Sequence, residues 1–323
     1  MRGADPSVVR EGGSYYLVQS AGTAIVVHKA AHLEALGAAR PVTVWRAPDT
    51  GWNRAEVWAP ELERIDGRWY IYYAAGRRAG QPFTTQRSGV LRARTDDPQG
   101  AWEDLGQLYT GDGPPPAGGP SDARPSVWAI DLTVGRVGGR LYAVWSGWER
   151  AAETDKTPQL LYIAPMANPY TIGGARRVLS APTAAWERGP ELDLQEGPEF
   201  LEHGGNTFVV YSTRDSWLPT YALGMLRYKG GGADPADSAS WAKSAGPVFA
   251  AANGVIGVGH NTFTVSPDGR QDWLVYHAKR SAAPGWDRVV HMQPFGWRAD
   301  GAPEFGAPVP NGVALAVPSG GCG

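Results

Sequence analysis

The sequence predicts an all-β protein folded as a five-bladed β-propeller, and three observations carry that prediction. A Gly-led turn followed by an aromatic-rich strand occurs five times, with the second glycines at 13, 67, 139, 205 and 269, so 54, 72, 66 and 64 residues apart. A unit of three or four short strands repeated at such intervals is what one propeller blade requires. No convincing amphipathic helix interrupts the pattern, and 43 Gly and 27 Pro in 323 residues supply the turns that many short strands need.

The units follow in order. Gly12-Gly13 leads Ser14-Tyr15-Tyr16-Leu17-Val18, and Asp66-Gly67 leads Arg68-Trp69-Tyr70-Ile71-Tyr72-Tyr73. Gly138-Gly139 leads Arg140-Leu141-Tyr142-Ala143-Val144-Trp145, and Gly204-Gly205 leads Asn206-Thr207-Phe208-Val209-Val210-Tyr211. Asp268-Gly269 leads Arg270-Gln271-Asp272-Trp273-Leu274-Val275-Tyr276. A short apolar strand precedes each, for example Pro6-Ser7-Val8-Val9 and Leu132-Thr133-Val134, and a further strand follows most, for example Leu160-Leu161-Tyr162-Ile163-Ala164. Lys29 to Leu36 is long enough for a turn or two of helix. The Gly/Pro/Ala-rich stretches at 111–125 and 230–240 read as loops. No composition break marks a second domain, so residues 1–323 read as one propeller.

Composition narrows the function. A net charge of -2 without a basic block excludes a nucleic-acid footprint. The single cysteine, Cys322, permits neither an internal disulfide nor a cysteine metal site. No run is long enough to span a bilayer, so no membrane partner is expected. Met1-Arg2-Gly3-Ala4-Asp5-Pro6 has no apolar core of a signal peptide, and the compartment stays open. Fourteen Trp and 13 Tyr are high for a chain of this length; in a β protein many of them are core, and a surplus around a cleft would suit stacking on sugar rings.

The repeat also places acids. In a propeller the innermost strands run along one axis, so residues at the same end of each meet at a shared funnel. Asp5 stands before Pro6-Ser7-Val8, Glu61 within Trp58-Ala59-Pro60-Glu61-Leu62, Asp131 before Leu132-Thr133-Val134 and Glu196 before Gly197-Pro198. The fifth unit has His260-Asn261 there. Pro198 fixes its own φ and biases Gly197 toward an extended conformation, which holds Glu196 on a stiff segment. Asp5, Asp131 and Glu196 are therefore expected at one axial site. Such a group suits glycoside hydrolysis: one carboxylic acid protonates the leaving oxygen, and one carboxylate activates water from roughly 6.5–9.5 Å away in an inverting enzyme. A third acid nearby raises the pKa of the proton donor. Only four residues precede Asp5, and chain ends fray, which predicts a loosely held base.

Ala4-Asp5-Pro6-Ser7-Val8, Val57-Trp58-Ala59-Pro60-Glu61-Leu62, Ile130-Asp131-Leu132-Thr133-Val134, Glu196-Gly197-Pro198 and Gly259-His260-Asn261-Thr262-Phe263-Thr264 together resemble glycoside hydrolase family 43. The resemblance runs from Asp5 to about Gly306 and implies an inverting, five-bladed hydrolase of arabinans and xylans. Asp66-Gly67-Arg68-Trp69-Tyr70-Ile71-Tyr72 and Tyr276-His277-Ala278 are similar to its exo-acting α-L-arabinofuranosidases. It implies Asp5 as general base, Glu196 as general acid and Asp131 as the carboxylate that tunes and orients the acid. It implies that His260 helps to hold a hydrated ion, often calcium, at the axis, with no cofactor required for the chemistry. Arg288 would contact sugar hydroxyls, and Trp58 would wall the terminal-sugar subsite or fill the blade core. Two departures, Gly257-Val258-Gly259 without the proline common before the second glycine and Leu132 in place of a smaller residue, are expected to alter the pocket's shape.

The leading expectation is thus an exo-acting α-L-arabinofuranosidase on an arabinose-containing oligo- or polysaccharide. A β-xylosidase or a bifunctional enzyme is the alternative. A non-catalytic carbohydrate-binding propeller would not need all three acids, and protein-interaction propellers repeat at shorter intervals. For an exo-acting pocket, the loops Arg77 to Arg87 and Gly111 to Ser126 are long enough to close one side.

Overall fold

Two-residue turns set the hairpins of the first four blades. Gly12-Gly13, Asp66-Gly67, Gly138-Gly139 and Gly204-Gly205 all have φ between 49° and 80° at both positions. That is the type I′ geometry whose twist matches paired strands and which L side chains other than Asp and Asn resist. The structure is a computed structural model and describes residues 3–78, 80, 83–113, 126–150, 154 and 156–321. The Gly111 to Ser126 loop therefore falls largely outside the described residues, as does Cys322.

Five antiparallel sheets follow one another along the chain, the five blades of the expected propeller. Blade 1 holds Ser7–Glu11, Ser14–Ala21, Ala24–Ala30 and Val42–Arg46 in that order. Blade 2 holds Ala55–Ile65, Arg68–Gly76, Arg87–Ala93 and Trp102–Gln107. Blade 3 starts with Ala129–Val137, Arg140–Gly147 and Leu160–Asn168, the last pairing with both Thr171–Ile172 and Arg177–Ser180. Blade 4 holds Gln195–His203, Asn206–Thr213, Ala222–Tyr228 and Trp241–Lys243, and blade 5 Ile256–Val265, Asp272–Lys279, Arg288–Trp297 and Pro303–Glu304. The first strand of each blade neighbours the first strand of the next, and that of blade 5 returns to blade 1. The helical turn expected at Lys29–Leu36 is a single 3₁₀ turn, Leu33–Ala35.

Each blade packs on two neighbours, so both faces of its second strand are apolar. Side chains alternate between faces. Tyr70 and Tyr72 of blade 2 join Trp145 of blade 3 in one cluster, while Trp69, Ile71 and Tyr73 join Tyr16 and Val18 of blade 1 in another. Tyr211 meets Tyr142 between blades 3 and 4, Phe208 meets Tyr276 between 4 and 5, and Trp273 meets Tyr15 between 5 and 1. The aromatic repeat read from the sequence is therefore the ring of interblade cores, each buried side chain contributing roughly 1.5–3 kcal/mol.

The first strands carry a second repeat. Asp5, Ala59, Asp131, Gly197 and His260, one per blade, all have left-handed φ between 39° and 54°. In blades 2 to 5 the strand register slips at that residue, and blade 1 begins its pairing just beyond Asp5. Each slip is a bulge that bends the inner strand and re-aims a side chain. A left-handed L-residue costs about 1–2 kcal/mol, and such strain collects at functional sites.

Two residues on lies a deeper level of oxygen-bearing side chains: Ser7, Glu61, Thr133, Glu199 and Thr262. The Leu62 N–H donates to Ser7 Oγ (3.0 Å), Thr133 Oγ1 donates to Glu199 Oε2 (3.2 Å) and the Val8 N–H donates to Thr262 Oγ1 (3.4 Å). Glu61 belongs here and not with the funnel acids, which corrects the phase assigned from sequence: Ala59, not Glu61, is the counterpart of Asp5.

Candidate functional site

The three acids converge. Asp5, Asp131 and Glu196, from blades 1, 3 and 4, line one cavity of about 470 Å³ together with His260 and Arg288 from blade 5 and Trp58 and Ala59 from blade 2. Phe83, Trp128, Trp148, Trp217 and Trp286 add aromatic walls. Trp58, left open between wall and core, is half-buried, lines the cavity and packs on Phe83 at 5.3 Å. Phe83 comes from the Arg77 to Arg87 loop. Leu132 lies in the blade 2–3 core and not against the cavity, so its size does not shape the pocket.

Asp5 is held firmly, contrary to the fraying expected of its position. Its N–H donates to His277 Nδ1 (3.2 Å), its Oδ1 accepts from Arg288 (3.1 Å), and His260 Nδ1 stands 3.3 Å from the same oxygen. His277 Nδ1 also stands 3.3 Å from Asp5 Oδ1. Burial raises the Asp5 carboxyl, but His260, His277 and Arg288 outweigh it and hold the group well below the usual carboxylate range. Burial lowers both imidazoles, His277 to about 3, so near neutral pH they are uncharged and Arg288 is the cation that keeps Asp5 ionised.

Glu196 meets the opposite environment. It is buried, and burial pushes its carboxyl up to about 7 against the lowering effects of the Tyr221 hydroxyl and Arg288. Tyr221 donates to Glu196 Oε1 at 2.8 Å. Asp131 accepts the Gly197 N–H at 2.9 Å, fixing the residue beside the acid, and burial, then Glu196 and Asp5, raise it well above the ordinary range. Two acids in such contact share protons as a pair.

Residues outside the repeat complete the site. Tyr221 is fully buried and stacks on His277, ring centroids 5.7 Å apart and 7° from parallel, which links the support of Glu196 to that of Asp5. A Cβ on Gly259 would stand 2.1 Å from the Tyr221 ring, so that position is held to glycine by close approach. Ser212 Oγ accepts the His260 N–H (2.7 Å) and fixes its left-handed turn. Tyr221 and Trp217 lie in loops with no shared phase, so only the aromatic excess hinted at them, while His277 lies in a second strand and its signal was the Tyr276-His277-Ala278 motif.

Among the described residues, the carboxylate and imidazole donors lying mutually close enough for one small ion are those of Glu61, Glu63 and Glu199, all within 4.8 Å of one another. His260 is outside that group. Glu61 Oε2 is buried without a partner, and the all-oxygen set suits a hard cation such as calcium. Without an ion, burial raises all three carboxyls, Glu199 to about 8. A folded pKa above the unfolded one contributes stability below about pH 4.5 that is lost as pH rises through 8. In chelator, Glu199→Gln is therefore expected to raise Tm by roughly 3 °C or more at pH 8 and little at pH 5, checked by calorimetry. Added calcium should raise the wild-type Tm at pH 8 and not that of Glu199→Gln.

Comparison with known proteins places this geometry. Residues 1–303 match the family described as Glycosyl hydrolases family 43. The chain is 37% identical to an extracellular exo-alpha-(1->5)-L-arabinofuranosidase of Streptomyces avermitilis, over 96% of this chain and 63% of that protein. It is 34% identical to alpha-L-arabinofuranosidase 43 of Humicola insolens, over 96% of this chain and 62% of the other. The chain thus spans a little under two thirds of the length of these relatives. The crystal structure of an alpha-L-arabinofuranosidase from Lactobacillus brevis superposes with a TM-score of 0.84 at 34% identity, covering 97% of this chain and 96% of that one. With five blades, three converging acids and a match along nearly its whole length, this chain belongs to glycosyl hydrolase family 43.

Proposed function

We propose that the protein is an inverting, exo-acting α-L-arabinofuranosidase that releases terminal arabinofuranosyl residues from arabinan, arabinoxylan or derived oligosaccharides. The observation that carries this reading is the split in protonation across one cavity: Asp5 ionised beside Arg288, Glu196 pushed up to about 7 by burial. Asp5 acts as general base on the attacking water. Glu196, protonated, donates to the glycosidic oxygen as its bond to the anomeric carbon breaks. Asp131 positions the acid through Gly197 N–H and shares its proton load. Arg288, fixed between Asp5 and the Ser216 carbonyl (3.3 Å), is placed to meet a sugar hydroxyl. The names of the relatives support the sugar, and Trp58 packed on Phe83 (5.3 Å) at the cavity wall supports a pocket for a chain end.

An axial calcium, implied by the family likeness, would be held by Glu61, Glu63 and Glu199. It would supply charge neutralisation to those buried carboxylates. Proton transfer stays with Asp5 and Glu196.

The test is turnover of aryl α-L-arabinofuranoside against aryl β-D-xyloside, followed by NMR of the first-formed sugar. Faster cleavage of the arabinoside with inverted anomeric configuration is expected. Preference for the xyloside would transfer the assignment to β-xylosidase, and retention would remove Asp5 as base.

A further inference from the structure

We infer that Trp286 and Trp217 form a binding subsite for the leaving-group sugar, so that the enzyme recognises a second saccharide ring beyond the one it releases. The inference rests on the proposed function for its substrate class. Trp286 is 57% exposed and is the one large aromatic side chain among the described residues that stands free to solvent; the other blade and pocket aromatics are buried or half-buried. A tryptophan left in water at the mouth of a cavity carries apolar area that a ligand covers.

Its position follows from the acid. Glu196 must reach the glycosidic oxygen, so the leaving ring lies on the Glu196 side of the cavity. Ser216 hydrogen-bonds to Glu196, and the next residue is Trp217, whose ring meets Trp286 edge-on at 6.1 Å. Phe83 meets Trp286 at 6.3 Å and 78°. Neither neighbour stacks flat on Trp286, and the exposed part of its ring offers apolar surface to the C–H face of a sugar.

The platform is pre-ordered. The Gly285 N–H donates to the Trp217 carbonyl (3.0 Å), and Lys279 Nζ donates to the Gly285 carbonyl. The Arg280 N–H donates to the Asp287 carbonyl (3.1 Å), closing the loop that carries Trp286, and the two side chains pair at 3.6 Å. A ring held this way loses little freedom when it binds.

The test compares Trp286→Ala and Trp286→Phe with wild type on two substrates that share the released sugar: methyl α-L-arabinofuranoside, whose leaving group has no ring, and arabinotriose. For Trp286→Ala, kcat/KM on arabinotriose is expected to fall about tenfold, and on the methyl glycoside to change less than about twofold, with Phe restoring most of the loss. Equal losses on both substrates, or none, would overturn the subsite. If wild type cleaves neither substrate, the proposed function fails, and calorimetric binding of arabinotriose then decides: about tenfold weaker binding by Trp286→Ala upholds the subsite, and equal affinity or no binding by wild type ends it.

Discussion

Glu196→Gln is expected to lower kcat on an arabino-oligosaccharide by about 10³-fold while leaving KM within a few-fold of wild type. Glutamine keeps the volume and accepts the Tyr221 hydroxyl as Glu196 does at 2.8 Å, so the site stays assembled, but an amide has no acidic proton to give. The diagnostic comparison is the leaving group. Dinitrophenolate departs without protonation, so on a dinitrophenyl arabinofuranoside the loss should shrink to about tenfold or less. The pH profile gives a second readout. Burial holds the Glu196 carboxyl at about 7, so wild-type kcat should fall as pH rises through about 7, and that limb should vanish in the variant on the activated substrate. Stability moves in the complementary sense: the raised carboxyl contributes below about pH 4.5 and the contribution is lost through about 7, so the variant should be the more stable protein at pH 8. An equal loss on both substrates would remove Glu196 as the proton donor.

Much of this site was legible because a propeller converts sequence period into spatial phase. Asp5 and Asp131 occupy the same left-handed position in their blades, and both were found from the strand that follows them. Register was harder. Asp5-Pro6-Ser7, Ala59-Pro60-Glu61 and Gly197-Pro198-Glu199 align on their prolines, which puts Glu61 and Glu199 at the deeper level and Glu196 one residue ahead of the left-handed position. The proline was the available signal, and reading acids by proximity alone placed Glu61 with the wrong group. Tyr221, His277 and Trp286 had no such signal. They reach the site from a loop before an outer strand, from a second strand and from an inter-strand loop, where neither period nor turn chemistry constrains residue type. Their roles come from contacts made across blades, which a one-dimensional pattern does not encode.

Asp5→Asn should lower kcat by about 10³-fold for every leaving group alike, and in this it differs from Glu196→Gln. Water must be deprotonated whichever group departs, so an activated leaving group offers no relief. Asparagine is the substitution to use because Asp5 has φ of 49°, a conformation that Asn tolerates and alanine resists, so the backbone turn and its link to His277 persist. The pH dependence carries the electrostatic argument. His260, His277 and Arg288, the last at 3.1 Å, together hold the Asp5 carboxyl well below the usual range, so wild-type kcat/KM should show no acidic limb near pH 4 to 5. Arg288→Gln removes the permanent cation beside a buried carboxylate. Burial then dominates, and an acidic limb should move up into or above the ordinary carboxylate range. Arg288→Gln with wild-type pH dependence would mean that the imidazoles, not the guanidinium, keep the base ionised, and a loss in Asp5→Asn that disappears with dinitrophenolate would place the general base elsewhere in the cavity.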